Sequence, residues 1–260
     1  MSDLGRPLAD PVGMRSPAMV RFFAGVMRRQ MARAFRAVRI SQPEPDLPED
    51  RPLLIYCNHP SWWDPALLIV LASELFPRRE AYGPMEAAAI ERYRFMKRIG
   101  IFGIEPDSPR GAAAFLREGA AILADSKRML CVTAQGRFAD PRVRPVAIRR
   151  GVSRLMRRVP EALAVPLALE YPFWTEKRPE ALARFGQPLA ASKADHETME
   201  QALTQTMDRL AEDAMAADPA GFRRLVQGRS GVGGVYDLWR RGRAVLRGER
   251  FHAAHQSEER

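Results

Sequence analysis

Short apolar runs alternate with helix-like segments through most of the chain, and this alternation most constrains the fold. The strand candidates are residues 53–57, 101–105, 129–133, 164–170 and 182–185. The helix candidates are residues 66–76, 85–99, 109–124 and 195–216. Runs of this length that alternate with helices are typical of a sheet covered on both faces. We therefore predict an α/β fold with a mostly buried mixed sheet flanked by helices, an N-terminal basic amphipathic helix and a helical C-terminal tail.

Composition excludes several classes of protein. Of the 260 residues, 46% are hydrophobic and 28% are charged, which is the balance of a globular chain and not of a disordered one. The two cysteines, Cys57 and Cys131, are too few for a disulfide framework or a zinc site, so a reduced compartment is expected. No apolar run approaches the roughly 20 residues that a membrane-spanning helix needs, and the first residues lack the apolar core of a signal peptide.

Positive charge is concentrated in three windows of a chain whose net charge is +10. Residues 14–40, 137–158 and 221–250 carry +7, +7 and +6, so the remaining residues together carry −10. Localised positive charge of this kind indicates an anionic partner, either nucleic acid or a lipid surface.

The first basic window predicts a helix over 18–40. Its arginines fall on one face, and the opposite face carries Phe23, Met27, Met31, Ala34, Phe35 and Val38. This pattern is typical of an interfacial membrane helix, and the alternative is a helix packed on its own domain with a solvated arginine face. Binding to DNA is a third interpretation, but the window lacks Asn, Tyr or Trp with which to contact bases.

These patterns predict five segments. They are a disordered N-terminus over 1–17, the amphipathic helix over 18–40, a proline-rich linker over 41–52, a catalytic α/β domain over 53–220 and a basic helical tail over 221–260. In the tail, Tyr236 and Trp239 lie among arginines, which fits either an interfacial segment or a docked terminal helix.

His59 and Asp64 carry the candidate chemistry. His59 follows the end of the predicted strand 53–57, and Asp64 opens the next predicted helix five residues later. A tight loop can fold the aspartate back onto the imidazole, whose other nitrogen then acts as a base. In the alternative interpretation, Asp64 only caps the helix before Pro65 and His59 is a hydrogen-bonded structural residue. Cys57 is predicted to be a buried thiol and not a nucleophile.

Residues 58–64 read Asn-His-Pro-Ser-Trp-Trp-Asp, which resembles the His-x4-Asp motif of the glycerolipid acyltransferases. That family includes the glycerol-3-phosphate and lysophosphatidate acyltransferases. Residues 99–111, 132–138 and 165–170 are similar to the family's second, third and fourth blocks, in the same order. The resemblance extends from about residue 52 to residue 188.

The resemblance implies an O-acyltransferase of lipid metabolism, with His59 as general base and Asp64 orienting it. The co-substrate would be acyl-CoA or acyl-carrier protein, with no further cofactor and no metal. The substrate-binding residues that it implies are Asn58, Gln135, Gly136, Arg137, Arg110 and Pro166.

Two departures from the family pattern alter the acceptor-binding blocks. The third block carries Gln135 and Arg137 where the family has Glu and Thr, and the second block lacks the expected arginine, for which Arg110 is the substitute. The acceptor is therefore open between a lysophospholipid-like molecule and another lipid hydroxyl.

The expected partners are an anionic membrane surface, the lipid acceptor and an acyl-carrier protein as alternative donor, without nucleic acid. The expected location is peripheral, at the cytoplasmic face of the cell membrane. Two alternative functions stay open: an acyl-thioester hydrolase with the same two residues, and a non-catalytic binder of anionic lipid or nucleic acid.

Overall fold

A computed structural model describes residues 10–229. Their strands are β1 (Ala37–Ser41), β2 (Leu53–Cys57), β3 (Glu80–Glu86), β4 (Ile101–Ile104), β5 (Arg128–Thr133), β6 (Leu163–Glu170), β7 (Ala181–Phe185), β8 (Leu189–Ala190) and β9 (Phe222–Gln227). The α-helices are α1 (Pro17–Ala34), α2 (Asp64–Leu75), α3 (Ala87–Arg92), α4 (Pro109–Ile122), α5 (Arg150–Met156) and α6 (His196–Ala216). Short 3-10 helices span Arg94–Ile99, Ala191–Lys193 and Pro219–Gly221.

The strands form one mixed sheet in the order β4-β3-β5-β2-β6-β7-β1-β9, with β8 paired to β6. Five neighbouring strands, β4, β3, β5, β2 and β6, are parallel, and β7 runs antiparallel to β6. All five residues of β2 are buried, because helices cover both faces of a parallel sheet. The predicted α/β class and its buried mixed sheet are confirmed.

The side chains of β2 alternate between two apolar cores. Leu54 and Tyr56 belong to the core beneath α4, α5 and α6, whereas Leu53 and Ile55 belong to the core beneath α1 and α2. A one-residue shift of β2 would exchange these faces, so burial on both sides fixes its register and thereby the position of its carboxyl end.

The predicted helix over 18–40 is too long. Helix α1 ends at Ala34, and Ala37–Ser41 form β1 between β7 and β9. The strand is favoured because it buries Val38 and pairs its backbone on both sides, while the Arg39 guanidinium meets the Glu180 carboxylate at 3.0 Å. The charge of Arg39, which suggested a continuing helix face, is thus paired with a distant acid.

The apolar face of α1 packs on the chain's own domain. Met31 and Phe35 are buried, Met27 contacts the same core, and Phe23 stacks on Phe95 with ring centroids 4.9 Å apart. The structure therefore agrees with the alternative interpretation of a helix packed on its own domain, because these apolar side chains are covered by protein. Phe22 stays 63% exposed, on the side that carries the arginines.

The predicted domain limits also change at both ends. Residues 10–16 are ordered and not disordered, with Pro11 buried and the Ser16 hydroxyl accepting from the Met19 N–H to cap α1. Residues 222–227 form β9 against β1 and are not part of a helical tail. The predicted domain over 53–220 therefore gains β1 and β9. Residues 1–9 and 230–260, with Tyr236 and Trp239, lie outside the described residues.

The predicted helix over 85–99 is replaced by β3, α3 and the 3-10 helix Arg94–Ile99. Strand β3 forms because its backbone pairs with β5 on one side and β4 on the other. These contacts with distant residues stabilise a strand that the local sequence does not predict. Gly100 ends this segment in the left-handed region at φ +91°.

Candidate active site

His59 and Asp64 meet at the carboxyl end of β2, in the middle of the sheet. Nδ1 of His59 lies 2.6 Å from Oδ2 of Asp64. Asp64 is fully buried, whereas the imidazole is 16% exposed. Because an ionised carboxylate only accepts hydrogen bonds, Nδ1 carries the proton and Nε2 keeps its lone pair.

Three donors surround the buried carboxylate of Asp64. The Ser61 N–H donates to Oδ2 at 3.1 Å, beside the His59 Nδ1–H, and the Tyr171 hydroxyl donates to Oδ1 at 2.7 Å. Asp64 is also the first residue of α2, where the helix dipole favours negative charge. These contacts offset the cost of burying the carboxylate.

Asp64 does not serve as the N-cap that the sequence also allowed. Trp63 occupies the cap position and makes no capping hydrogen bond through its side chain. The Asp64 carboxylate points instead at the loop and at His59, so its role is to hold the imidazole.

Asn58 fixes the base of the loop but does not face a cleft. It is fully buried, its Nδ2 donates to the Leu169 carbonyl at 2.9 Å, and its Oδ1 accepts from the Leu169 N–H at 2.8 Å. Both ends of its amide are thus bonded to the backbone of β6. The structure assigns Asn58 a positioning contact and leaves it no free polar atom for a substrate.

The loop after β5 holds the backbone of His59 on both sides. Oε1 of Gln135 accepts from the His59 N–H at 2.8 Å, and the Ala139 N–H donates to the His59 carbonyl at 3.0 Å. The Phe138 ring covers the imidazole with centroids 4.3 Å apart. Gln135 and Phe138 therefore belong to the shell that orients the imidazole.

Gly136 lies where this loop approaches Arg149 and the loop before α4. Its φ is +64°, and a Cβ at this position would lie 2.7 Å from Nε of Arg149. The Arg149 guanidinium extends to Asp107, with Nη1 2.5 Å from Oδ1. Glycine is favoured here because the left-handed backbone conformation strains other residues and because a Cβ would displace the Arg149 side chain.

The remaining predicted substrate residues lie in different surroundings. Arg137 is exposed next to Phe138, and Arg110 is exposed on the first turn of α4. Pro166 is buried within β6, opposite Tyr56 of β2, with Cγ near Gly186. Arg137 thus lies on the loop that covers the imidazole, whereas Pro166 is part of the core and is not open to a substrate.

Three exposed aromatic side chains lie on the loops around the dyad. Trp62, Phe138 and Phe173 are 75%, 60% and 69% exposed. They follow the neighbouring parallel strands β2, β5 and β6, whose carboxyl ends meet at one edge of the sheet. We call these three residues the aromatic rim.

Neither cysteine competes as a nucleophile. Burial raises the pKa of the Cys57 thiol well above its usual range, and the nearby Asp64 carboxylate adds to the shift. Burial also raises the pKa of Cys131 to about 12. Both thiols stay protonated at neutral pH, in agreement with the prediction that Cys57 is a buried thiol.

Sequence reasoning missed Tyr171, Phe138 and Arg149. Tyr171 directly follows β6, so the general tendency of α/β sites to lie beyond strand carboxyl ends points to it once β6 is known to neighbour β2. Phe138 and Arg149 carry no comparable local signal, because only the tertiary fold brings them to His59 and Gly136.

The arrangement holds a partly exposed imidazole on a rigid frame. An imidazole held in the Nδ1–H tautomer can accept a proton at Nε2 from an alcohol or from water, and the ionised Asp64 stabilises the imidazolium that results. Within residues 10–229, no group of three or more His, Cys, Asp or Glu side chains could hold a metal ion.

The fold is similar to that of a solved acyltransferase. The crystal structure of the 1-acyl-sn-glycerophosphate (LPA) acyltransferase PlsC from Thermotoga maritima matches with a TM-score of 0.56 and 11% sequence identity. The match covers 76% of this chain and 80% of that chain. No model of a protein family matches the chain, and no curated protein matches it in sequence. The similarity shows a shared fold.

None of the helices in residues 10–229 combines the length and the apolar character that a membrane crossing requires.

Proposed function

We propose that this protein is an O-acyltransferase that moves a fatty acyl group from a thioester to a lipid hydroxyl. The observation that carries the proposal is the 2.6 Å contact between Nδ1 of His59 and the buried Asp64 carboxylate. It lies at the carboxyl edge of a sheet whose fold is similar to PlsC. The His59–Asp64 spacing and the similarity of the fold to an acyltransferase both support this proposal.

In the proposed reaction, Nε2 of His59 takes the proton from the acceptor hydroxyl as its oxygen attacks the thioester carbonyl carbon. The tetrahedral intermediate collapses by breaking the carbon–sulfur bond, and the leaving thiolate receives the proton from the imidazolium. Asp64 holds the tautomer before the attack and stabilises the imidazolium afterwards. General-base assistance of this kind contributes about 10²- to 10⁴-fold in rate.

An anionic group on the acceptor would bind on the basic side of the site. Arg137 is exposed beside Phe138, and Arg149 lies against Gly136, so both are close to the loop that covers His59. A planar guanidinium suits a phosphate because it forms paired hydrogen bonds. Arg110 is a weaker candidate, since it belongs to α4. Oε1 of Gln135 accepts from the His59 N–H. This contact needs only an oxygen acceptor, so an amide can stand where the family has a glutamate.

The membrane contact would be made by the aromatic rim and not by the apolar face of α1. That face is packed on the domain, whereas Trp62, Phe138 and Phe173 are exposed at the same edge as the dyad. Aromatic side chains next to arginines favour an anionic bilayer surface. The protein would bind peripherally at the cytoplasmic face, with the dyad opening towards its lipid acceptor.

Acyl transfer is tested with labelled acyl-CoA or acyl-carrier protein and a panel of lysophospholipid and neutral lipid acceptors, with the product identified by mass. We expect an acylated lipid from the wild type and at least 100-fold less from folded His59→Ala, as loss of the base predicts. Free fatty acid formed equally without acceptor would instead identify a thioester hydrolase. Folded His59→Ala with wild-type turnover would refute the mechanism, and salt-sensitive DNA retention without turnover would favour a non-catalytic binder.

A further inference from the structure

We propose that Tyr171 is a positioning residue that sets the orientation of the dyad through Asp64. Its hydroxyl lies 2.7 Å from Oδ1 of Asp64, and Asp64 in turn holds His59. The hydrogen bonds among Tyr171, Asp64 and His59, and their test by NMR, do not depend on an assigned reaction. Its kinetic part rests on the proposed acyl transfer.

The fold brings Tyr171 to the dyad across 107 residues of sequence. Strand β6 pairs with β2 in register up to Cys57 and Leu167, and the Asn58 amide continues this pairing to Leu169. Tyr171 follows two residues later, so the pairing of the two strands fixes its distance from Asp64.

The two oxygens of Asp64 have different tasks. Oδ2 accepts from the His59 ring and from the Ser61 N–H, whereas the Tyr171 hydroxyl is bonded to Oδ1. Because the carboxylate is fully buried, loss of the hydroxyl would remove a donor where water is excluded. The Tyr171 bond also opposes rotation of the carboxylate, which would move Oδ2 away from the imidazole.

The phenol of Tyr171 is a permanent donor in this setting. Burial raises its pKa well above the ordinary value of 10.0, and the negative charge and hydrogen bond of Asp64 add to the shift. The hydroxyl therefore stays protonated over the range in which an imidazole titrates.

The aromatic ring of Tyr171 has a separate packing role. It contacts the Phe35 ring with centroids 5.4 Å apart, and Phe35 contacts Trp63 at 5.2 Å, edge to face. Trp63 directly precedes Asp64 in the chain. Tyr171→Phe keeps this ring and removes only the hydroxyl, so it separates the hydrogen bond from the packing.

The charged and titratable groups around the dyad belong to α2, to β2, to β6 and to the loop after β5. Asp64 on α2 interacts with His59, with Tyr171 after β6 and with the protonated Cys57 thiol of β2. The loop after β5 carries Arg137 and Asp140, and Glu170 ends β6. Tyr171→Phe alters none of these charges.

Removal of the hydroxyl would leave Oδ1 of Asp64 without its donor and would free the carboxylate to rotate. The hydrogen bond between Oδ2 of Asp64 and the Nδ1–H of His59 would then weaken. A purely structural role for Tyr171 would lower stability without this change at the imidazole.

The first experiment follows the Nδ1 proton resonance of His59 by NMR at a single pH, assigned by its loss in His59→Gln. We expect this resonance to move upfield in Tyr171→Phe, because its hydrogen bond to Asp64 weakens. The matched control is Tyr56→Phe, because the buried Tyr56 hydroxyl donates to the Met199 carbonyl and not to the dyad. An unchanged resonance in folded Tyr171→Phe, or an equal shift in Tyr56→Phe, overturns the inference.

The second experiment measures the kinetics of acyl transfer. We expect kcat to fall about tenfold in Tyr171→Phe with KM within twofold, because the base is less well oriented. A raised KM at constant kcat would mean that Tyr171 contacts substrate and would overturn the positioning role. If the NMR shift occurs in a protein whose wild type transfers no acyl group, the proposed function fails while the coupling of Tyr171 to His59 stands.

Discussion

The two edges of the parallel strands use buried polar groups for different purposes. At the carboxyl edge, the donors around Asp64 orient one partly exposed imidazole. At the amino edge, the half-buried Arg79 guanidinium donates to the carbonyls of Pro48, Arg51 and Ser126, which precede β2 and β5. The carboxyl edge thus positions the imidazole of His59. At the amino edge, Arg79 connects the segments that precede β2 and β5.

A cavity of about 570 Å³ lies at the amino edge, with Leu47, Phe76 and Arg79 among its lining residues. Its acids are paired with bases, as in the contact of Arg78 with Glu49 at 3.1 Å and that of Glu44 with Arg223 at 2.7 Å. This cavity therefore contains paired charges, and neither residue of the dyad lines it.

The largest effect should come from Asp64→Asn at the carboxyl edge. An amide cannot serve as the charged acceptor of the Nδ1–H and does not stabilise an imidazolium, so acyl transfer should fall by about 10²- to 10⁴-fold. The matched control at the amino edge is Glu49→Gln, which removes an exposed carboxylate. Equal activities of the two variants, measured as kcat/KM on folded protein, would erase the distinction between the edges.

An intermediate effect is expected from Arg79→Ala, and it should appear in stability instead of catalysis. Three partly buried carbonyls lose their donor, which should lower the free energy of unfolding by about 2–3 kcal/mol. Arg78→Ala, which removes an exposed ion pair, should change it by less than about 1 kcal/mol. Urea titration measures both values, and a loss of acyl transfer in folded Arg79→Ala would show that the amino edge takes part in the chemistry.

The smallest effect concerns the aromatic rim. The double change Trp62→Ser and Phe173→Ser should weaken binding to vesicles containing anionic lipid by about five- to tenfold, because less apolar surface enters the interface. Phe22→Ser removes an exposed aromatic residue from α1 and should change binding by less than twofold. A flotation assay measures the binding of both variants. If Phe22→Ser weakens binding more than the double change in the aromatic rim does, α1 makes the membrane contact.

Local sequence was sufficient for the centre of the site. The run before Asn58 predicted β2, and the His59–Asp64 spacing predicted the tight loop, because both depend on residues that are neighbours in the chain. Within residues 10–229, five of the nine strands were predictable for the same reason, since β2, β4, β5, β6 and β7 are apolar runs in the sequence.

Contacts between distant residues account for what sequence reasoning missed. Strand β1 resembled the end of a basic helix because the acid that pairs with Arg39 is 141 residues away. Tyr171 had no visible role because Asp64 is 107 residues away. Pro166 and Asn58 were predicted to bind substrate because of the resemblance to a family. In the structure both side chains are buried and contact other parts of the protein.

The insertion of β1 between β7 and β9 has a consequence for how the protein is made. β1 is the earliest strand of the sheet to leave the ribosome, yet both of its partners belong to the later part of the chain. At about 5–20 residues per second, the 141 residues between Arg39 and Glu180 take roughly 7 to 30 s to synthesise. During that interval neither strand that pairs with β1 in the folded sheet has been synthesised, so β1 joins the sheet only after β7 and β9 have followed it.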